Sequence, residues 1–498
     1  MTSSDSEPYA AIDLGSNSFH MLVANYSDGR LQVIDRLKEM VQLAGGLAED
    51  NQLSEEAINR GLACLEKFGQ RIKEIQKRNI RAVGTNAVRQ ARNGAAFLKH
   101  ARNALGCPIE IISGREEARL VYLGVANTIF NETEQRLVVD IGGGSTEVVI
   151  GQGFEAKLTE SLYMGCINMS ERFFRDGFIT TKKMRKAIIY AHQELEAIQS
   201  IYNKKGWDAA IGSSGTILTI NQIIKAQDWS NTGITKSGLT KLKKLLCELG
   251  HVDEFAFPEL SANRAPVFAG GVAILCAIFD AFALEQMTPS EGALREGLLY
   301  DLIGRTHERD IRNQSIEAIA NQYMVDQEQA RRVMKTAQDC FHQVKENWAL
   351  QDTPDLQLLA WAAKLHELGL VIAHSQYQRH GAYLINHSEL PGFSRQEQSA
   401  LAMLVRCHRR KFPVDELRAS FEENFEHVLR LGILLRLAFV LNRSRSSNPL
   451  PRFEIKIKNG TIKLEFPDKW LLNQPLTEAD LETEAGYLKA AGVLLEYR

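Results

Sequence analysis

Two stretches of this chain repeat one pattern. Residues 9–25 read YAAIDLGSNSFHMLVAN and residues 136–151 read RLVVDIGGGSTEVVIG. In each, an apolar β-type run ends in an aspartate, Asp13 or Asp140, crosses a turn of small residues and becomes apolar again. A single strand–turn–strand of this kind is an ordinary hairpin. Two copies, each with a carboxylate at the mouth of the turn, predict two related domains that face one another. The copies lie too far apart for a solenoid repeat.

The turns carry a chemical expectation as well. Small residues let backbone N–H groups converge on an anion, and hydroxyls add donors. Gly15, Ser16, Asn17 and Ser18 in the first turn are therefore candidate phosphate ligands, as are Gly142, Gly143, Gly144, Ser145 and Thr146 in the second. Carboxylates repel phosphate, so the expected partner of Asp13 and Asp140 is a divalent cation. Mg²⁺ commonly takes one or two carboxylates together with waters and substrate phosphates. Glu147, one residue into the return strand, is placed to face the same site as Asp140. A third small-residue element, AAIGSSGTILTINQIIK (209–225), predicts a strand ending at Gly212 and a helix starting through Ser213, Ser214, Gly215 and Thr216. Free N–H groups and the macrodipole at such a start favour phosphate. The chain contains no GxxxxGK[ST], which excludes a P-loop NTPase.

The segment IEIISGREEARLVYLGVA (109–126) predicts a strand, a turn at Gly114 and a helix. Ser113 and Glu116 have capping-box spacing, which assigns Glu116 a structural task. Glu117 has no such task and sits just ahead of the second hairpin; it is the candidate to orient and deprotonate a water. Arg89 in GTNAVRQARN and Arg295 in GALREG are candidate phosphate clamps, because a guanidinium presents a planar fork of donors. The histidines of the second half, among them His366, His374, His380, His387 and His408, match no zinc-ligand spacing and lack HExxH. They are expected to be a mixture of surface and core residues.

Organisation follows from patterning. Runs at 9–13, 18–25, 31–36, 80–84, 108–112, 136–141, 146–151 and 208–212 alternate with helical segments, the α/β signature. After Arg309 the pattern turns helical; in 327–348, Ala330, Val333, Met334, Ala337, Phe341 and Val344 share one face. Near the end, RFEIKIKNGTIKLEFP predicts a hairpin turning at Asn459-Gly460. A charged stretch at 304–311 and the region 124–135 are expected boundaries. At 498 residues the chain is too long for one core. A net charge of −2 gives no global basic field for nucleic acid. The seven cysteines, at 64, 107, 166, 247, 276, 340 and 407, are scattered without CxxC pairs, which predicts reduced thiols in a cytoplasmic protein. The amino-terminal MTSSDSEP lacks signal-peptide character, and no run is long enough to span a bilayer.

Taken in order, AIDLGSNSFHMLV, GTNAVRQARN, IISGREEARLVYLGV, VVDIGGGSTEVVIG, YMGC, IGSSGT, GALREGLLY, LHELGL, QRHGAYL and LPGF resemble the exopolyphosphatase / pppGpp phosphohydrolase (Ppx/GppA) family across nearly the whole chain. The resemblance implies an α/β fold of two facing ribonuclease-H-like domains of the actin/hexokinase type, at 1–127 and 128–305. A helical HD-like domain at 306–445 and a small carboxy-terminal α+β domain at 446–498 would follow. It implies that the hairpins are phosphate-1 and phosphate-2 motifs, that Glu117 is the catalytic base, and that Asp140, Gly142 and Glu147 occupy phosphate and Mg²⁺ positions. It also implies a homodimer. His366-Glu367 replaces the family's His-Asp, which argues for a retained scaffold rather than a second hydrolase. The implied reaction is release of terminal phosphate from inorganic polyphosphate, from pppGpp to give ppGpp in the stringent response, or from both. GTNAVRQ, DIGGGSTE, ANQYMVDQEQARRV and QRHGAYLI lie closer to the exopolyphosphatase branch and put polyphosphate slightly ahead. The alternatives are a kinase of the same superfamily, against which SGREEAR argues, and a non-catalytic pppGpp or polyphosphate sensor.

Overall fold

The structure is a computed structural model that describes residues 7–27, 30–48, 50–129, 134–306, 310–458 and 460–498. Residues 1–6, parts of the two expected boundaries (130–133 and 307–309) and Asn459 of the expected turn lie outside the described residues. The chain forms two compact units, Met1–Asp310 and Ile311–Arg498.

In the first unit, the duplication extends from the two motifs to two whole sheets. One contains β1 (Pro8–Leu14), β2 (Phe19–Ser27), β3 (Arg30–Glu39), β4 (Ile80–Gly84) and β5 (Ile109–Ile111), in the order β3-β2-β1-β4-β5. The other contains β6 (Gln135–Ile141), β7 (Thr146–Gln152), β8 (Glu155–Leu162), β9 (Ala209–Ser213), β10 (Ile234–Thr235) and β11 (Gln286–Pro289), in the order β10-β11-β9-β6-β7-β8. Each begins with a three-stranded antiparallel meander. Each then adds two parallel strands beside the first, β4 and β5 or β9 and β11. The central strands β1 and β6 are buried on both faces, through Ala10, Ala11, Ile12 and Leu14 and through Leu137, Val138, Val139 and Ile141. That is why they read as continuous apolar runs rather than alternating ones.

In each sheet the last parallel strand is followed by a helix: Gly114–Ala126 after β5, and Leu294–Thr306 after β11. These two helices pack backbone against backbone. A Cβ placed on Gly124 would lie 2.1 Å from the Ala293 carbonyl oxygen, and one on Gly297 only 1.8 Å from that of Leu120. Glycine is the residue that permits such an approach. A buried ion network locks the crossing: Asp301 accepts from Arg81 (2.6 Å), Arg305 (2.9 Å) and Arg119, and Arg119 also grips Glu116 with 2.8 Å to each oxygen. The expected capping box is thus only half present. Ser113 Oγ accepts from the Glu116 N–H at 3.2 Å, but the Glu116 carboxylate belongs to the ion network.

The second unit is helical with a small sheet. Its Gln327–Trp348 helix starts at Asp326, whose carboxylate accepts from the N–H groups of Glu328 and Gln329, and buries Ala330, Val333, Ala337, Phe341 and Val344. The sheet joins β12 (Glu454–Lys458), β13 (Thr461–Glu465) and β14 (Leu494–Tyr497). Ile455 opposes Leu464 and Ile457 opposes Ile462, the register expected from the alternation. His366 and His408 are fully buried with ring centroids 5.4 Å apart, whereas His374 and His387 are exposed. All seven cysteines are unpaired and six are buried. Among the described residues no helix is long and apolar enough to cross a membrane.

Candidate active site

The two hairpin turns meet at a cleft of about 440 Å³ in the first unit, a volume typical of a small-molecule site. They touch: a Cβ on Gly143 would lie 3.1 Å from Ser16 Cβ and 3.6 Å from the Asn17 nitrogen. The carbonyls of Ser16 and Asn17 are taken from behind by the N–H groups of Ala44 and Gln42. Those of Gly142 and Gly143 are taken by Cys166 and Ile167 at the start of the Cys166–Phe173 helix. An anion entering the cleft therefore meets turns whose acceptors are already satisfied.

Strand pairing fixes what stands beside each aspartate. Asp140 opposes Glu147 directly across β6 and β7, so both carboxylates share one face, and Glu147 accepts from Ser161 Oγ at 2.8 Å. Glu117 reaches the same cleft from the first turn of its helix and is 8 % exposed. Arg89 Nη1 donates to the Ile112 carbonyl at 2.8 Å and to Glu117 Oε2 at 3.4 Å, which holds the carboxylate in place.

Four carboxylates now crowd one low-dielectric space. Burial pushes Glu117 up to about 7, with Arg89 opposing and Asp140 adding to the rise. Burial likewise pushes Asp140 up to about 6, against a hydrogen bond from Ser213 and the charge of Arg295. Burial, then the charges of Glu117 and Asp140, hold Glu147 well above its ordinary range. Asp13 is raised by burial and then by Glu117. Its Oδ1 is buried with no hydrogen-bond partner among the described residues. Such mutual elevation and an orphaned carboxylate oxygen are what a cation would relieve. Among the described residues no three His, Cys, Asp or Glu side chains form a ready-made ligand cage. The donor set fits Mg²⁺, which keeps waters and substrate oxygens in its shell, better than a fully protein-ligated metal.

Most of the residues expected from sequence line this cleft: Asp13, Gly15, Ser16, Asn17, Ser18, Glu117, Asp140, Gly142, Gly143, Ser145, Glu147, Ser214, Gly215, Thr216 and Arg295. Four expected phosphate ligands do not. Thr146 is fully buried and its hydroxyl donates to the Met164 carbonyl, because strand alternation turns it away from the face that Glu147 shows. Gly212 is buried behind the cleft, against Ile217 and Met287. Gly144 packs on Asn86. Arg89 faces Glu117 and Ile112 rather than the cleft itself.

Other lining residues were not anticipated. Arg264 donates to the Gly215 carbonyl and, at 2.9 Å, to Thr219 Oγ1. Arg36, Lys38 and His20 come from β2 and β3. His20 opposes Asp13 in the β1–β2 pairing, with Ser18 Oγ 2.8 Å from its Nε2. Burial and the surrounding cations Arg295, Lys38, Arg264 and Arg36 push its value down to about 3, so the ring is neutral. The register from Asp13 to His20 was readable from the length of the turn. Arg264, just before the Ala265–Ala281 helix, has no comparable sequence signal.

Opposed small-residue turns on two sheets of like topology, with the buried Glu117 lining the cleft between them, form a site suited to phosphoanhydride chemistry. Comparison with known proteins carries this further. Residues 22–306 match the Ppx/GppA phosphatase family and residues 311–485 match Ppx/GppA phosphatase, domain III. The chain belongs to the Ppx/GppA phosphatase family. It is 40% identical over 480 residues to the guanosine-5′-triphosphate,3′-diphosphate pyrophosphatase of Pseudoalteromonas translucida, covering 96% of this chain and 95% of that protein. The protein of the same name from Vibrio campbellii is 41% identical over 488 residues, 97% of each chain. Among solved structures, an exopolyphosphatase from Cytophaga hutchinsonii is similar at 25% identity with a TM-score of 0.55, covering 60% of this chain and 98% of that one. The Aquifex aeolicus Ppx/Gppa enzyme is similar at 28% identity and a TM-score of 0.51, covering 59% and 98%.

Proposed function

We propose that this cleft hydrolyses the terminal phosphoanhydride of pppGpp, giving ppGpp and phosphate, and accepts inorganic polyphosphate in the same place. One observation carries the reading: Glu117 is buried at the floor of two facing phosphate-type turns, held by Arg89 and surrounded by carboxylates suited to Mg²⁺. The names of the relatives near 40% identity support pppGpp as the first substrate, which reverses the order drawn from local sequence wording.

Asp140 and Glu147 would hold Mg²⁺, with Asp13 facing them. The ion would supply neutralisation of charge on the transferring phosphoryl group. The N–H groups and hydroxyls of the turns position that group. Glu117 orients a water in line with the bond to be broken and takes its proton. The water oxygen bonds to the terminal phosphorus, the bond from that phosphorus to the bridging oxygen breaks, and the electron pair leaves with the remaining chain. Because the phosphoryl transition state is loose, placement and charge matter more than base strength. The test offers the purified chain with Mg²⁺ to pppGpp, long-chain polyphosphate, ppGpp and ATP separately and follows phosphate. Release is expected from the first two; release from neither sinks the reading.

A further inference from the structure

The two sheets place corresponding rows of residues across their meanders. In the second sheet the row is Asp140, Glu147 and Ser161, read across β6, β7 and β8. In the first it is Asp13, His20 and Lys38, read across β1, β2 and β3. Directly opposed residues share a sheet face, so each row points one way. The second row is internally satisfied, since Ser161 donates to Glu147. The first is not. His20 is neutral, and Lys38 makes no ion pair among the described residues; the charges that bear on it are the cations Arg264 and Arg295.

Of the neighbouring cations, Arg36 and Arg295 have a carboxylate partner, while Arg264 donates to the Gly215 carbonyl and Thr219 Oγ1. Glu296 is 3.0 Å from Arg295 Nε and 3.7 Å from an Arg36 Nη. Lys38 thus lines the cleft as a cation beside Arg264 and Arg295, a place that an entering anion would fill. Its place in the row also sets which anion. Two strand spacings separate it from Asp13, about 10 Å. That is too far for the phosphoryl group being transferred beside Asp13, but right for the chain that trails from it.

Resting on the function proposed above, we propose that Lys38 is a substrate-binding residue that grips the leaving polyphosphoryl chain, beyond the scissile bond. It makes the cleft selective for substrates with several consecutive phosphoryl groups over simple phosphomonoesters. A residue with this task acts on binding and not on the chemical step.

The test compares the full chain with Lys38→Met and Lys38→Arg, measuring kcat and KM for pppGpp and long-chain polyphosphate over a salt series. Methionine keeps the length of the stem on an exposed strand position, and circular dichroism reports whether the variant folds. Lys38→Met is expected to raise KM about tenfold, the size of one charged contact, with kcat within about twofold and a shallower salt dependence. Lys38→Arg should restore most of the affinity, since the charge is kept. An unchanged KM in a folded, active Lys38→Met variant overturns this inference and leaves the proposed function standing. So does a fall in kcat with KM unchanged, or a failure of Lys38→Arg to rescue. An unsubstituted chain that releases phosphate from neither substrate overturns both.

Discussion

The first and second sheets share a five-strand plan and differ in charge at two slots, His20 against Glu147 and Lys38 against Ser161. Where β1 and β2 set neutral His20 opposite Asp13, β6 and β7 set Glu147 opposite Asp140. The backbone plan is the same, and so is the small-residue turn. On the function proposed above, a duplicated scaffold separates two tasks. The second jaw concentrates negative charge that suits a cation. The first dilutes it with an uncharged ring and a lysine, which suits the substrate. Hydrolysis of a polyanion needs both, because a cleft of carboxylates alone would repel what it must bind.

The largest expected effect comes from the residue that serves both jaws. Glu117→Gln should lower kcat by about 10²-fold or more, the usual loss when a positioned base is removed. Steady-state kinetics of a variant with an unchanged melting curve check it, and near-normal turnover would reduce Glu117 to a helix-end residue. Next, Asp140→Asn should raise the Mg²⁺ concentration needed for half-maximal activity by roughly tenfold or more, as loss of a carboxylate ligand weakens a hard cation's site. His20→Gln should leave that requirement nearly unchanged. Equal shifts in the two titrations would erase the distinction between the jaws.

A smaller effect concerns how the base is carried. Because Glu116 is buried against Arg119, Glu116→Gln should destabilise the chain by about 1–3 kcal/mol, the cost of an uncompensated buried charge softened by a retained hydrogen bond. Denaturant melts decide it. The last effect is one that acid removes. Three arginines hold the buried Asp301 well below the ordinary carboxylate range, despite its desolvation. Its contribution is therefore complete above the unfolded value near 3.9 and lost as pH falls below it toward the folded value. Asp301→Asn should be less stable than the parent at neutral pH, and the gap should narrow below about pH 4. A gap constant with pH would contradict the ionised network.

How far sequence carried depends on the kind of element. Both hairpins, β4, β9 and the Gln327–Trp348 helix were legible because continuous apolar runs or a 3.6-residue period mark them. β8 was not, because EAKLTESL is a sheet-edge strand with polar residues throughout; nor was β11, four residues containing a proline. At the site, residue type found the carboxylates and the turns. It misassigned Thr146, although the period of two already decides that Thr146 and Glu147 cannot face the same way. It missed Lys38 and Arg264 because isolated basic residues on a strand or before a helix look like any solvated surface until the chain is folded around them.

The crossing at Gly124 and Gly297 has a mechanical consequence. Glu117 stands seven residues before one glycine, about 10 Å along its helix, and Arg295 two residues before the other. Where two rods bear on each other without side chains between them, the gauge of the instrument is cut at the pivot rather than at its tips. One methyl at Gly124 would push against the Ala293 carbonyl, act as a shim and respace both jaws at once. The Gly124→Ala chain should therefore lose turnover on every substrate alike, measurable as an equal fall in kcat/KM for pppGpp and polyphosphate.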